Sequence, residues 1–306
     1  MKGRISFKPG AIQHVYQRTN NGYLIFYTIR DYLVLYSVIM CSARKHRIKL
    51  LGLCFMVDHI HMLVDAQSKF ELRRFIQHYT AWFTRLWNEQ HGQSGALFGR
   101  QLGFASKVTG KDIRSAIAYL YNNPVEKQVC RRPEQSQWNF LAYGVSKNPF
   151  SDPLRVAQSS AWLRSALKEV SFQVSNSRPL SYAQLHRLSL SLTRTEQKQL
   201  ADYIIRSYNC IDYAVVSDYF GGYEKMIIAI NTTKGSEYDI PEDFTAGSDL
   251  IYSKMTQFLL DTGVVDSVDL LLHLPEDIRR SLIAPVCTAT GASIKKAAKY
   301  LHVKIV

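Results

Sequence analysis

His59 and His61 stand two residues apart in the apolar run Leu50 to Asp65, LLGLCFMVDHIHMLVD. Residues two apart on a β-strand project from one face, so this spacing sets two imidazoles side by side and turns Ile60 toward the core. Two imidazoles alone do not make a metal site. A third polar ligand would extend the set, and a nucleophile would give it chemistry to do. Both occur later in the chain, in AIAYLYNNPV, residues 116–125. There Tyr119 and Asn123 are four apart, one helical turn, and share a face. Tyr121 lies two residues from either and points elsewhere. Tyr119 is therefore the candidate nucleophile, and His59, His61 and Asn123 are the candidate ligands.

The elements that must position these residues can be read from period and punctuation. Ala11 to Thr19 alternates as a first strand closed by the turn Asn20-Asn21-Gly22. Ile29 to Arg44 has helical spacing, with Tyr32, Leu33, Leu35, Tyr36, Ile39 and Met40 as its apolar face. Ile48 to Val57 is a long buried strand that Asp58 to Asp65 continues or pairs with. Lys69 to Glu89 is a second helix, and Gly99 to Val108 supplies a last strand. Thr109 with Asp112 three residues on forms a variant capping box for the next helix. Pro124 should end that helix near Asn123, because proline lacks the amide hydrogen and disfavours helical geometry in the residue before it. This order of elements is that of an α+β sandwich with a mostly antiparallel sheet.

Charge separates the two halves of the chain. The formal net charge is +13; residues 1–150 hold 21 Lys and Arg against 8 Asp and Glu, and the remainder holds 17 of each. A basic domain beside a neutral one suits a polyanionic partner, of which nucleic acid is the commonest, or else a solubilising surface, and charge alone does not separate DNA, RNA and membrane. His14, Tyr16 and Arg18 share a strand face that suits DNA contact or is simply a polar sheet face, and Arg73, Arg74 and Arg85 form either a phosphate-facing helix edge or an ordinary solvated face. The hydrophobic fraction of 46% is that of a globular protein. Five scattered cysteines suit a reducing compartment rather than a disulfide framework. MKGRISFKPG lacks the apolar core of a signal peptide, and the longest apolar stretch, near Tyr32 to Cys41, is too short to span a bilayer. The expectation is a soluble, cytoplasmic protein with no membrane contact.

His59-Ile60-His61 behind Leu53-Cys54-Phe55-Met56, followed by Tyr119-Leu120-Tyr121-Asn122-Asn123-Pro124-Val125, resembles the HUH-type single-tyrosine transposases, in particular their REP-associated branch. His14-Val15-Tyr16-Gln17-Arg18, Trp138 and Tyr143 resemble that branch too, and the likeness runs over residues 3–145. It implies a ferredoxin-like HUH domain and transesterification of single-stranded DNA bearing a hairpin or inverted repeat. A tyrosine hydroxyl, with an ordinary pKa near 10, is a weak nucleophile. In the family Mg²⁺ or Mn²⁺ assists it, here on His59, His61 and Asn123. The product would be a 5′-phosphotyrosine and a free 3′-hydroxyl, with no nucleotide cofactor. Family members include both monomers and homodimers.

Three departures stand out. Met56-Val57-Asp58 replaces the common Met-Pro-Asn, Tyr121 stands where a histidine is frequent, and a long C-terminal half is added. Asp58 should face away from His59 if the strand is regular, either supporting a ligand from behind or serving the structure, or else it adds a carboxylate near the metal. Two other readings compete with the enzyme: a domesticated protein that binds hairpin DNA without cutting, and a hydrolase in which water is the nucleophile. A replication initiator is disfavoured because no GxxxxGK[ST] loop is present.

The stretch GVSKNPFSDP, residues 144–153, marks the expected boundary between an HUH domain over 1–146 and a mainly α-helical domain over 147–306. Helical period is expected at Val156 to Ser171, Ser181 to Leu190, Thr195 to Ser207, Asp212 to Phe220 and Leu250 to Leu260. A polar interruption spans residues 231–248. Ser281 to Thr288 and Ala292 to Leu301 resemble the first two helices of a helix-turn-helix, with Ala297, Ala298, Leu301 and Val303 in packing positions.

Overall fold

The computed structural model of the protein describes residues 7–99, 103–233 and 249–304. The first unit runs β1 (Ile12–Arg18), α1 (Ile29–Lys45), β2 (Lys49–Met56), β3 (His59–Asp65), α2 (Lys69–His91), β4 (Gly103–Lys107) and α3 (Gly110–Glu126). The sheet has the order β2-β3-β1-β4, every pair antiparallel. That is the ferredoxin-like arrangement expected from the sequence. Within the expected final strand, residues 103–107 pair with β1, and residues 100–102 lie outside the described set.

Alternation decides what each strand faces. Val15, Leu53, Phe55, Ile60, Met62 and Val64 are buried with α1 and α2 on one side of the sheet. On the other side Leu51, Cys54, Met56 and Leu63 pack against Ile113, Ala116, Ile117 and Leu120 of α3. The Val57-Asp58 turn makes β2 and β3 a tight hairpin, so the second of the two alternatives for Asp58 to Asp65 holds: it turns into a neighbouring strand.

Helix ends follow their caps. Thr28 donates its backbone N–H to Asp31 Oδ2 at 2.7 Å at the start of α1, and Ser68 Oγ accepts the Glu71 amide at the start of α2. Gly92, at φ +61°, closes α2 in the left-handed region that favours glycine. Thr109 and Asp112 bond each other's backbone reciprocally at α3. Pro124, however, does not end α3 at Asn123. The helix continues to Glu126, with Lys127 N bonded to Asn123 O at 3.1 Å and Val129 N to Pro124 O at 2.8 Å. A proline in the last turn forfeits its own amide bond, while later residues still donate back. Asn123 is thereby inside the final turn.

The second half is helical: α4 (Ala161–Ser175), α5 (Tyr182–Ser189), α6 (Arg194–Tyr208), α7 (Tyr213–Asp218), α8 (Tyr223–Thr232), α9 (Leu250–Asp261), α10 (Glu276–Ser281), α11 (Ile283–Thr290) and α12 (Ile294–Tyr300). The helix expected from Val156 starts only at Ala161, because the Ser160 hydroxyl accepts the Leu163 amide and so fixes the first turn. α8 was not anticipated, and most of the expected polar interruption, residues 234–248, lies outside the described residues. α11, a turn at Gly291–Ser293 and α12 form a helix-turn-helix-like pair, with Ala297, Ala298, Leu301 and Val303 all buried.

One hydrophobic cluster joins the halves, uniting Val15, Tyr36 and Phe55 with Leu163, Leu167, Leu200 and Ile204. Asp202 of α6 ties the connecting segment down. Its carboxylate accepts from Tyr143 Oη at 2.6 Å, Phe150 N at 3.1 Å and Ser151 Oγ at 2.9 Å. Among the described residues no helix is long and apolar enough to cross a membrane.

Candidate active site

The β1–β3 register places Arg18 opposite His59 and Tyr16 opposite His61. Since side chains alternate, His14, Tyr16, Arg18, His59 and His61 share the sheet face that α3 covers. The rings touch in series. Tyr16 lies 5.4 Å from His59 and 4.9 Å from His61, centroid to centroid, and the two histidines are 4.9 Å apart. His14 stacks on His61 at 5.3 Å, with its Nε2 3.2 Å from His61 Nδ1.

Above this row α3 inserts Tyr119. Its ring meets His61 edge-on at 5.4 Å and His14 at 5.7 Å. Tyr119 is 1% exposed and His61 0%, whereas His59 is partly open. Asn123, one turn on and buried, donates its side-chain N–H to the Tyr119 carbonyl at 2.8 Å. This bond uses the amide nitrogen and leaves Oδ1 as the atom of Asn123 able to act as a ligand. Tyr121 points away, toward β2 at Gly52.

Burial sets the electrostatics. It holds His61 well below the ordinary histidine range, with the His59, His14 and Arg18 charges adding to the effect. Burial, then Lys107, lowers His14 to about 3. Both imidazoles are thus neutral at physiological pH, the form that binds metals. His61 Nε2 is buried and has no hydrogen-bond partner. A buried polar atom left unmatched costs about 1–3 kcal/mol, and a ligand to this nitrogen would remove that cost.

His59 differs. Its Nδ1 lies 2.6 Å from Asp58 Oδ1, an arrangement that places the ring proton on Nδ1 and the lone pair on Nε2. Asp58 occupies the hairpin turn, not the strand, and this is how it reaches a side chain that strict alternation would deny it. Burial works to raise the Asp58 carboxyl, yet His59 and the Lys299 ammonium hold it well below the usual carboxylate range. Two imidazole nitrogens and a carboxamide oxygen form a donor set that a divalent ion accepts. No group of three or more His, Cys, Asp or Glu able to hold a metal occurs among the described residues.

The residues expected to contact DNA are dispersed. Arg18 is exposed at the end of β1 and bonds the Tyr16 hydroxyl. His14 is interior, against His61. Arg73 and Arg74 are exposed on α2, which packs on the opposite side of the sheet from the histidines; Arg74 lies over the Phe70 ring at 5.6 Å. Arg73 lines an opening with Gln17 and Gly99, next to the end of β1 that carries Arg18. Lys299 of α12 was not foreseen. Its Nζ lies 3.3 Å from Asp58 Oδ2, and 241 residues separate the two in sequence, so no local pattern could have announced it.

Residues 11–123 match the family model described as "Transposase IS200 like". That span opens one residue before β1 and closes on Asn123. Among solved structures, one described as "Structure of the REP associates tyrosine transposase bound to a REP hairpin" is 13% identical, covers 53% of this chain and 95% of that one, and gives a TM-score of 0.39. A comparison with curated proteins finds no match.

Proposed function

The segment 11–123 belongs to the IS200-like transposase family, and from that premise we propose that the protein is a metal-dependent endonuclease and strand transferase acting on single-stranded DNA. Tyr119 is the nucleophile. Its oxygen attacks a backbone phosphorus, the bond from phosphorus to the 3′-oxygen breaks, and the departing oxygen takes up a proton while the phenol loses one. The result is a 5′-phosphotyrosine on Tyr119 and a free 3′-hydroxyl, which can attack such a linkage to rejoin strands. His59 Nε2, His61 Nε2 and Asn123 Oδ1 would hold Mg²⁺ or Mn²⁺. When bound, the ion supplies charge neutralisation at a non-bridging phosphate oxygen.

The observation that carries this reading is the buried, unpartnered His61 Nε2 beside the Tyr119 ring. The rest of the chain does supporting work. Asn123 is anchored by its bond to the Tyr119 carbonyl, so nucleophile and ligand move together. The basic N-terminal half favours a polyanion, and the Arg18 guanidinium lies 5.1 Å from the centroid of the Tyr16 ring. A single strand bearing a hairpin or inverted repeat is the partner we assign.

One observation favours the rival reading, a hairpin-binding protein that no longer cuts: Tyr119 is buried, so a strand must displace what covers it. Mass spectrometry separates the two. After incubation with a single strand and Mn²⁺, nuclease-trimmed nucleotide mass should appear on the proteolytic peptide containing Tyr119. Bound but unmodified protein would support the non-cleaving reading, and cut DNA without a modified peptide would support water as the nucleophile.

A further inference from the structure

We infer that Lys299, on the C-terminal helix α12, is a positioning residue for His59 and acts through Asp58. The inference rests on the reading of His59 as a metal ligand and extends it to the half of the chain beyond residues 11–123.

The hairpin turn Val57-Asp58 is held from several sides. Thr19 donates both its amide and its hydroxyl to the Asp58 carbonyl, each at 3.0 Å. The Ile25 amide bonds the Val57 carbonyl at 3.1 Å. The Val57 side chain packs into a cluster formed by Leu24, Met255, Leu271, Val286, Tyr300 and Leu301, the core of the C-terminal helices. The helical half therefore grips the turn from which β3 begins.

On this fixed turn the Asp58 carboxylate bridges two partners. Oδ1 meets His59 Nδ1 at 2.6 Å and Oδ2 meets Lys299 Nζ at 3.3 Å. A carboxylate accepting from the Nδ1–H of a histidine fixes its tautomer and its ring orientation. Here the ammonium in turn fixes the carboxylate. Both partners are only partly exposed, Lys299 at 27% and Asp58 at 23%.

α12 is itself docked. Tyr27 Oη donates to the Tyr300 carbonyl at 2.5 Å, and His302 Nε2 lies 2.6 Å from the Leu24 carbonyl. Gly22, at φ +65°, makes room for the lysine: a Cβ there would fall 2.9 Å from Lys299 Cε and Nζ. Lys299 thus occupies a slot between the first turn of the chain and the hairpin, and its contact with Asp58 is part of a built interface.

The test uses the full chain with Asp58→Asn, Lys299→Met and Lys299→Arg. Two quantities are read: the His59 tautomer from ¹⁵N ring shifts without metal, and Mn²⁺ affinity by electron paramagnetic resonance. Asp58→Asn should shift His59 away from the Nδ1–H form and weaken Mn²⁺ binding by roughly 10- to 100-fold. Lys299→Met should move both in the same direction by less, and Lys299→Arg should restore them, with circular dichroism unchanged throughout. Unchanged tautomer and Mn²⁺ affinity in both Asp58→Asn and Lys299→Met would overturn the inference, whatever happens to thermal stability. Failure of the wild type to bind Mn²⁺ would sink the metal reading instead, and the ring shifts would still decide whether Lys299 positions His59.

Discussion

The ring of Tyr119 stands edge-on to that of His61, with 5.4 Å between centroids and 89° between planes. Helix and strand meet there: α3 delivers the hydroxyl-bearing side chain to the sheet face on which β3 presents its imidazoles. The contact is buried, so it persists only while α3 packs on Leu51, Cys54, Met56 and Leu63. Placement of the proposed nucleophile is thus a consequence of the same apolar packing that holds the domain together.

The two tyrosines of α3 should behave differently. The Tyr121 hydroxyl is buried without a hydrogen-bond partner, so Tyr121→Phe removes an unmatched group and should leave stability equal or raised by up to about 1–3 kcal/mol. Activity should be unchanged. Tyr119→Phe should bind single-stranded DNA and form no adduct. Urea melts and a cleavage assay check both, and loss of activity in Tyr121→Phe would contradict the assignment.

Among the basic residues, position relative to the sheet should decide the effect. Arg18→Ala should weaken single-strand binding and lower the salt slope of binding by about one. Arg73→Ala and Arg74→Ala, on the far side, should leave cleavage rates unchanged. Titrations over a range of salt concentrations test this, and equal losses in all three variants would place the DNA elsewhere.

Asp31 is the polar node of the core. Its buried carboxylate bonds His91 Nε2 at 2.9 Å, Tyr182 Oη at 2.8 Å and the amides of Tyr27 and Thr28. Asp31→Ala leaves these groups buried without their acceptor and should cost about 3–5 kcal/mol. A denaturant melt with less than about 1 kcal/mol of loss would mean that water replaces the carboxylate.

Stability should fall in mild acid. Burial lowers His302 to about 3, with Arg279 and His91 assisting and the Leu24 carbonyl opposing; the rings of Tyr23, Tyr27 and Trp87 pack around it. Below the ordinary histidine pKa of about 6.5 the unfolded chain binds a proton that the folded chain refuses. This contribution to stability is complete above about pH 6.5 and declines toward about pH 3 by about 1.4 kcal/mol per pH unit. Melts at pH 7.5, 6 and 5 should show the slope reduced by that amount in His302→Gln. Parallel slopes would refute the assignment.

Much of this arrangement was legible because it depends on local period. The alternation around His59 and His61 gave their shared face, the four-residue spacing gave Tyr119 and Asn123, and Thr109 with Asp112 gave the start of α3. What escaped depends on contacts distant in sequence or on exceptions to local rules. Pro124 was expected to stop α3, but in a last turn it costs only its own bond. Strand alternation puts Asp58 on the opposite face, but Asp58 is a turn residue and does not obey it. Lys299 meets Asp58 only because the C-terminal helices close over Leu24 and Val57, a packing event that no motif encodes. Arg73 and Arg74 were grouped with Arg18 by charge, although the α2 that carries them packs on the sheet face opposite the histidines.

Covalent capture tests the central claim most directly. Labelled single strands carrying the inverted repeats that flank the gene are incubated with the full chain and Mn²⁺ or Mg²⁺, then run on a denaturing gel beside Tyr119→Phe and His61→Ala. A slow-migrating, metal-dependent protein–DNA band in the wild type, absent from both variants, is the predicted result. Wild-type protein that binds these strands and never forms the band, or a band that survives Tyr119→Phe, would contradict it.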